Sequence, residues 1–321
     1  MTIEQHVFDP QGRAFPNAVR LRPRYDAERM AGELSKFVAV SDNAFSVANG
    51  RRVLPLRSPD GDPYRTSTGG PGIGSFRDTP WLRHLPYFSD ILEGLPAPVR
   101  GARLWAAAPG TEARDMRAPK IGPPWGFCRL HLPIAGGPLA RCLFVGEQQE
   151  WRPGTLWFAA SWRSHTIVNR DTSDLVHLIV DVFHTAETEL LFPAHLRPGT
   201  SSPRALVHRP EIPLSAGEAQ RYRSRFKLPE LFTNWECAGH RVRSGASGAD
   251  IEAEIAVRRG SLVLLLAGRL FCGLEHVGDG EFRLRSWSDE RTLQVTPAPR
   301  PAAVLRIREG SNTYVFELPL L

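Results

Sequence analysis

The sequence predicts a mainly β protein with flanking helices, in which a β-sandwich or jelly roll precedes a smaller C-terminal α+β or β-rich domain. The chain has 321 residues and is 42% hydrophobic, which is enough to bury a core and excludes wholesale disorder. Its middle consists of short apolar runs separated by Pro and Gly, the pattern of a sandwich. A proline-rich segment then interrupts this pattern and indicates a second domain.

The first elements are predicted to be helices around a long loop. Asp26 is a candidate N-cap, and the apolar residues that follow it recur at helical spacing. A second helical pattern covers residues 81–95. Between them, residues 58–79 are rich in Gly, Pro, Ser, Thr and Asp, which favours a long loop or lid. Its glycine run at 69–74 follows no strand and precedes no helix, so a phosphate cradle is not predicted there.

The remaining elements are mostly strands. In the first domain they are expected at 102–107, 128–134, 142–145, 155–158, 165–169 and 175–183. The C-terminal part predicts a helix near 215–225 and strands at 251–257, 261–267, 281–287 and 303–316. The predicted organisation is an arm at 1–19, a jelly-roll domain at 20–193, a proline-rich linker at 194–213 and a C-terminal domain of unknown role at 214–321.

Composition also restricts the partners and the compartment. The net charge is +6, but only three of the 40 basic residues are lysines and the arginines are scattered, which argues against a nucleic-acid surface. No apolar run approaches the ~20 residues of a membrane span. The four cysteines lack metal-binding spacing, and the N-terminus lacks a secretory pattern. We therefore expect a cytoplasmic protein with reduced thiols and no membrane partner; the oligomeric state is left open.

Arg129 and His131 are the first candidate functional residues. Alternate residues of a strand share a face, so the two side chains point the same way. A guanidinium beside an imidazole would suit a carboxylate ligand. The alternative is an arginine at the rim and a buried histidine that is hydrogen-bonded within the core.

The order of motifs around these residues resembles a known family. The block runs from Cys128-Arg-Leu-His-Leu-Pro through Trp151-Arg-Pro-Gly-Thr and Ser161-Trp-Arg-Ser-His-Thr-Ile-Val-Asn to His177-Leu-Ile-Val-Asp. It is similar to the aspartyl/asparaginyl β-hydroxylase and proline hydroxylase family, over about residues 20–185. The resemblance implies a double-stranded β-helix, a cupin-like jelly roll, and the family's cofactors iron(II) and 2-oxoglutarate.

Transferred to this chain, the resemblance leaves an incomplete iron site. His165 matches the family's second metal histidine. The first metal motif falls on Met116 and Ala118 or, in a shifted alignment, on Lys120 and Gly122, and none of these supplies an imidazole. Leu175 stands where the family's arginine clamps 2-oxoglutarate. We therefore expect no confident metal site and no cofactor.

Polar residues that match the family pattern still suggest an anionic ligand, because burying cationic groups without a partner is costly. His165 and His131 are the candidate catalytic residues. The candidate ligand-binding residues are Arg129, His131, Asn169, His177, Trp162 and Trp125. The predicted function is metal-free binding of a small carboxylate, an amino acid or a peptide- or carrier-bound substrate, with possible acid/base chemistry. The alternatives are an active iron/2-oxoglutarate hydroxylase with unrecognised ligands and a non-enzymatic scaffold.

Overall fold

The computed structural model describes residues 15–41, 44–48, 51–67, 69–197, 205–243, 250–297 and 299–321. The chain forms two compact units. The first comprises Met1–Thr68, Phe76–Pro123 and Phe127–Ser202, and the second Gly69–Ser75, Pro124–Gly126 and Pro203–Leu321. Two short segments of the N-terminal half thus join the second unit, and the predicted linker at 194–213 stays a prediction. Most of the predicted arm, residues 1–14, lies outside the described residues.

The first unit is a sandwich of two antiparallel sheets. The large sheet has the order β1-β10-β7-β12-β5-β3-β2, with β4 paired to β3, and the small sheet has the order β6-β11-β8-β9. The strands are β1 (Ala18–Arg24), β2 (Ser46–Ala48), β3 (Arg51–Pro59), β4 (Phe76–Asp78), β5 (Val99–Ala107), β6 (Glu112–Met116), β7 (Phe127–Ala135), β8 (Ala140–Phe144), β9 (Glu147–Gln149), β10 (Thr155–Ala159), β11 (His165–Asn169) and β12 (Leu175–Phe183). This arrangement confirms the predicted jelly roll.

Helices α1 (Ala27–Val40) and α2 (Pro86–Glu93) pack their apolar residues against one face of the large sheet. The chain also contains α3 (Ala186–Glu189) and 3-10 helices at Pro80–His84, Pro123–Trp125 and Ala194–Leu196. Asp26 caps α1 by accepting a hydrogen bond from the Arg29 backbone N–H at 2.9 Å, as predicted. The single helix predicted at 81–95 is instead divided at Pro86, because proline suits a first helical turn and not a helix interior.

Period-2 alternation gives the large sheet two distinct apolar faces. The face towards the helices buries Leu54, Leu104, Leu130 and Leu178 with the α2 residue Phe88. The opposite face, called the inner face below, packs against the small sheet. Its apolar residues include Val53, Trp105, Leu175 and Ile179 from the large sheet, with Cys142, Phe144 and Ile167 from the small sheet.

The second unit is an antiparallel meander whose eight described strands each pair with the next. They are β13 (Ser224–Pro229), β14 (Asp250–Arg258), β15 (Ser261–Leu266), β16 (Arg269–Gly278), β17 (Glu281–Leu284), β18 (Arg291–Thr296), β19 (Ala302–Glu309) and β20 (Asn312–Leu318), with short helices α4 (Ala216–Arg221) and α5 (Gly239–Arg243) and a 3-10 helix at Glu230–Thr233. Main-chain bonds from Lys227 to Pro319 (2.8 Å) and from Leu321 to Arg225 (2.9 Å) join the two ends of the sheet.

This unit differs from the sequence prediction in its number of strands. The strand predicted at 303–316 is a hairpin that turns at Gly310, whose φ of 59° suits glycine. Strands β13, β16 and β18 were not predicted, because charged residues interrupt their apolar pattern. Among the described residues, no helix has the length and apolar character that crossing a membrane requires.

Candidate active site

Three histidines and four aromatic residues form one cluster on the inner face of the first unit. The His131 ring lies 5.0 Å from that of Trp151 and 6.1 Å from that of His177, measured between centroids. Trp151 also lies 5.3 Å from His177 and stacks on Phe144 at 5.4 Å. We call this group the histidine cluster; it consists of His131, His165, His177, Trp105, Phe144, Trp151 and Trp157.

His131 is buried in the middle of this cluster without a hydrogen bond. It is 6% exposed, and neither ring nitrogen has a partner in the structure. Burial lowers the pKa of the His131 imidazole well below 6.5, and the neighbouring His177, Arg129 and His165 lower it further. His131 is therefore neutral, with one ring N–H and one ring lone pair that are both without a partner.

His177 stands on the neighbouring strand β12 and is also neutral. Its ring is 2% exposed and lies 6.1 Å from the Trp105 ring. Burial lowers the pKa of His177 to about 3. Among its immediate neighbours are the rings of Trp105, Trp151 and His131, so an aromatic environment holds this imidazole uncharged at neutral pH.

His165, the residue that matches a family metal ligand, enters the cluster from the small sheet. Its Nδ1 lies 3.0 Å from the Arg163 carbonyl oxygen, and its ring stacks on Phe144 at 5.2 Å and 12°. A proton on Nδ1 would donate to that carbonyl and leave the lone pair on Nε2. Burial lowers the pKa of His165; the Arg163 carbonyl raises it, and the charges of Arg129 and Arg51 lower it further.

Met116 lies directly across the strand pair from His165, and Arg51 contacts it. Strands β6 and β11 pair with Met116 opposite His165. The Arg51 guanidinium Nη1 contacts the Met116 sulfur, and its carbon lies 5.9 Å from the Trp105 ring. Sequence analysis missed Arg51, although strand alternation from Val53 on the inner face would have placed it there. The position opposite His165 thus has a thioether and a cation.

This donor set does not fit a ferrous ion. Iron of the family's type needs two imidazoles and a carboxylate, whereas a thioether is a poor ligand for it and a guanidinium has no lone pair to give. Ala118, in the other first-motif position, has no donor atom. Lys120, from the shifted alignment, is buried with φ 58°. Within the described ranges, no group of three or more His, Cys, Asp or Glu side chains could hold a metal ion.

Arg129 is engaged by an internal carboxylate. Its Nε and Nη2 donate to the two Asp181 oxygens at 2.6 and 2.9 Å, a bidentate pair in which Asp181 is fully buried. Arg103 Nη1 approaches the same carboxylate at 3.6 Å. Burial raises the pKa of Asp181, but Arg129, Arg103 and Arg100 together bring it well below its usual range. Arg129 Nε and Nη2 are thus already bound to a carboxylate of the protein itself. Binding of an external carboxylate by Arg129 and His131 remains a prediction.

The Asn169 side chain is hydrogen-bonded to the main chain on both its amide nitrogen and its oxygen. Its Nδ2 donates to the carbonyls of Ala107 (2.8 Å) and Ser173 (2.9 Å), and its Oδ1 accepts from the Asp171 N–H at 3.1 Å. The side chain is fully buried. These three bonds fix the turn that follows β11, and the predicted ligand-binding role of Asn169 stays a prediction.

Of the two tryptophans predicted to wall the site, Trp162 does not belong to the histidine cluster. Trp162 packs with Phe158 and Phe15 against the core on the helix side of the large sheet, at centroid distances of 6.0 and 6.4 Å. Phe158 faces that side because it alternates with Trp157 along β10. Trp125 belongs to the second unit. The tryptophans of the histidine cluster are instead Trp105, Trp151 and Trp157.

Comparison with known proteins agrees with the resemblance seen in the motifs. Residues 75–185 match the family model of the aspartyl/asparaginyl beta-hydroxylases. This part of the chain is thus related to that family, which confirms the resemblance over about a third of the sequence. A comparison with curated proteins gives no match.

Solved structures give distant likenesses to part of the chain. One is a 2OG-Fe(II) oxygenase family oxidoreductase from Burkholderia pseudomallei, at 11% identity, 52% coverage of this chain, 85% of that chain and a TM-score of 0.34. Another is a Pseudomonas putida prolyl-4-hydroxylase, at 11% identity, 53% and 94% coverage and a TM-score of 0.33. A third is a predicted oxalate decarboxylase from Thermotoga maritima, at 18% identity, 30% and 74% coverage and a TM-score of 0.22.

Proposed function

We propose that the jelly-roll unit binds a small carboxylate-bearing molecule without iron or 2-oxoglutarate. The observation that carries this proposal is the pair of residues opposite His165. Met116 stands opposite His165, where one of the two alignments with the family would put its first metal-binding imidazole, and the cation of Arg51 lies against Met116. The fixed positive charge of Arg51 repels a divalent metal ion and attracts an anion. The same residue therefore supports both the absence of iron and the binding of a carboxylate.

Arg51 is the proposed anion partner. Burial lowers its pKa, but arginine stays charged throughout the physiological range, and its planar fork suits a carboxylate. Arg129 is less suited to this role because its Nε and Nη2 are bound to Asp181. We therefore propose Arg51, and not Arg129, as the residue that binds the anion. The proposed ligand is still a small carboxylate.

His165 is the proposed acid/base group of this site. With its Nδ1 proton donated to the Arg163 carbonyl, Nε2 has the basic lone pair. The lowered pKa keeps the imidazole neutral near pH 7, ready to accept a proton from a bound molecule. His131 and His177 are proposed to be neutral walls of the pocket, with His131 as the second candidate catalytic group because its ring nitrogens have no partner.

Titration with succinate tests this proposal on metal-free protein treated with EDTA. We expect saturable binding to the wild-type protein, about tenfold weaker binding to Arg51→Gln, and an intermediate affinity for Arg51→Lys. Arg52→Gln is the matched control, because Arg52 is the next residue on β3 and pairs with Asp174. Equal affinities for the Arg51→Gln and Arg52→Gln variants would refute the assignment. Absence of binding by the wild type would favour the scaffold alternative.

An iron-dependent hydroxylase is the second candidate. It is favoured by the retained His165 and by the family match over 75–185. It would need replacement ligands, for which the described part of the chain offers no cluster. Anaerobic titration with iron(II) and 2-oxoglutarate separates the two candidates.

The proposed partner is a small molecule, or an amino acid presented on a peptide or carrier, and we propose a cytoplasmic location. The four cysteines are buried and form no disulfide, as reduced thiols would. Burial raises the pKa of Cys142 to about 12, so this thiol is not a nucleophile at neutral pH.

A further inference from the structure

A groove lies on the outer face of the small sheet, the face turned away from the large sheet. Cys142, Phe144 and Ile167 point to the core between the two sheets, so the residues that alternate with them along β8 and β11 point outward. The groove has a volume of about 340 Å³, at the lower end of the range of about 300–1,000 Å³ that is typical of small-molecule sites. Its lining is Glu112, Arg114, Leu139, Arg141, Leu143, Thr166, Val168 and Arg170.

Aliphatic side chains form part of this lining. In the strand register Leu143 pairs with Thr166 and Val168 pairs with Arg141, so Leu143 and Val168 are diagonal neighbours on the outer face. Leu139, just before β8, is 53% exposed. The solvent face of an antiparallel sheet is usually polar. A concave surface with three aliphatic side chains is therefore stabilised by an apolar group that covers it.

Two arginines of the groove, Arg141 and Arg170, have charges that no described residue balances. In the part of the chain that the structure describes, neither guanidinium has a hydrogen bond or an ion pair. The pairing of β8 with β11 continues one residue further, where the Arg170 N–H donates to the Leu139 carbonyl at 3.4 Å, so the two arginines are diagonal neighbours. The third arginine, Arg114, pairs with Glu112.

The acidic residue beside Arg170 in the chain is engaged elsewhere. Asp171 Oδ2 accepts the Leu139 N–H at 3.1 Å, and its Oδ1 accepts the Thr172 N–H at 2.8 Å. Like charges on neighbouring strand positions repel each other, and an anion between the two guanidinium groups would replace this repulsion with attraction. The groove thus combines an apolar surface with two cations that are available to a ligand.

We propose that this groove binds a free carboxylate with an aliphatic chain. The carboxylate lies between Arg141 and Arg170, whose planar forks suit it, and the chain covers the three aliphatic side chains of the lining. The groove is on the opposite face of the small sheet from the histidine cluster. It shares no residue with the site proposed around Arg51 and His165, so each can fail without the other.

Calorimetric titration at low ionic strength tests this groove with three probes: octanoate, acetate and 1-octanol. Octanoate has both the charge and the aliphatic chain, whereas acetate lacks the chain and 1-octanol lacks the charge. We expect a saturable site for octanoate, with acetate and 1-octanol binding at least about tenfold more weakly. An octanoate affinity no higher than that of either other probe, or no saturation by octanoate up to about 10 mM, would overturn the proposal.

The double variant Arg141→Gln/Arg170→Gln should weaken octanoate binding about tenfold, because both charges that face the carboxylate are lost. Both residues are exposed, so the core stays intact. The matched control is Arg77→Gln/Arg152→Gln, which removes the same net charge from exposed positions outside the groove and should change the affinity less than about twofold. Equal weakening by the two double variants would contradict the proposal. Loss of octanoate binding in the Arg51→Gln variant would place the anion at the other site and also contradict it.

Discussion

At the residue scale, the arginines of the inner face differ in the groups that they contact. The Arg129–Asp181 pair lies side by side with Arg103, so the carboxylate is the common counter-charge of this region. Arg51, at the edge of the same face, contacts a thioether. We assign a structural role to Asp181 and its arginines, whereas the proposed role of Arg51 as an anion partner rests on its contact with Met116, which lies across the strand pair from His165.

Removing the shared carboxylate should destabilise the first unit strongly. Asp181→Asn leaves buried arginines without their counter-charge, and we expect a loss of about 3–5 kcal/mol in the free energy of unfolding. Asp90→Asn is the control, since Asp90 pairs with Arg29 at 3.5 Å on the surface, where such pairs contribute about 0–1 kcal/mol. Urea denaturation measures both, and similar losses would contradict the account.

Restoring a metal site should require two changes. Met116→His places an imidazole opposite His165, but the Arg51 cation still opposes a dication. We expect the double variant Arg51→Gln/Met116→His to bind Zn²⁺ more than tenfold tighter than the wild type, since even outer-sphere changes alter metal affinity by about 10–100-fold. Equilibrium dialysis measures the Zn²⁺ affinity of the double variant and of the wild type. Equal affinities would mean that the two strands hold these side chains apart.

At the scale of elements, strand alternation decided which predictions succeeded. The predicted bounds of β11 and β12, at 165–169 and 175–183, agree with the structure, and period 2 placed Arg129 and His131 on one face. Trp162 follows β10 in a turn, where alternation gives no direction, and its role at the site stays a prediction. Met116 could be predicted to stand at one alignment's first metal position, but the Arg51 contact depends on β3 beginning two residues before Val53. Such cross-strand contacts cannot be deduced from one sequence.

The turn after β11 provides a test at this scale. Asn169→Ala removes three side-chain hydrogen bonds from a buried position and leaves carbonyls unsatisfied, which should cost about 1–3 kcal/mol. Succinate affinity at 25 °C should stay within twofold, because these bonds are all to the main chain. A large loss of affinity in a variant that still unfolds cooperatively would support the ligand-binding role of Asn169.

At the scale of the whole molecule, the neutral histidine cluster should make the first unit sensitive to acid. The pKa of His177 is lowered from 6.5 to about 3, so between these values the unfolded chain binds a proton that the folded chain does not. The stability contributed by neutral His177 is present above pH 6.5 and is lost as the pH falls towards 3. We expect a fall of a few kcal/mol between pH 7 and 4.

The variant His177→Phe separates the contribution of His177 to acid sensitivity from that of other titrating groups. His177→Phe keeps an aromatic ring and removes the proton, so its unfolding free energy should depend less on pH below 6.5 than that of the wild type. Denaturation at a series of pH values measures the two slopes. Parallel slopes would show that His177 does not cause the acid sensitivity.

The central claim is that the family's iron chemistry has been replaced by metal-free anion binding at the position opposite His165. Its most direct test is anaerobic titration of the purified protein with iron(II) in the presence and absence of 2-oxoglutarate, followed by exposure to oxygen. We predict no stoichiometric iron binding and no conversion of 2-oxoglutarate to succinate. One equivalent of bound iron that is lost in His165→Ala, with 2-oxoglutarate turnover, would contradict it.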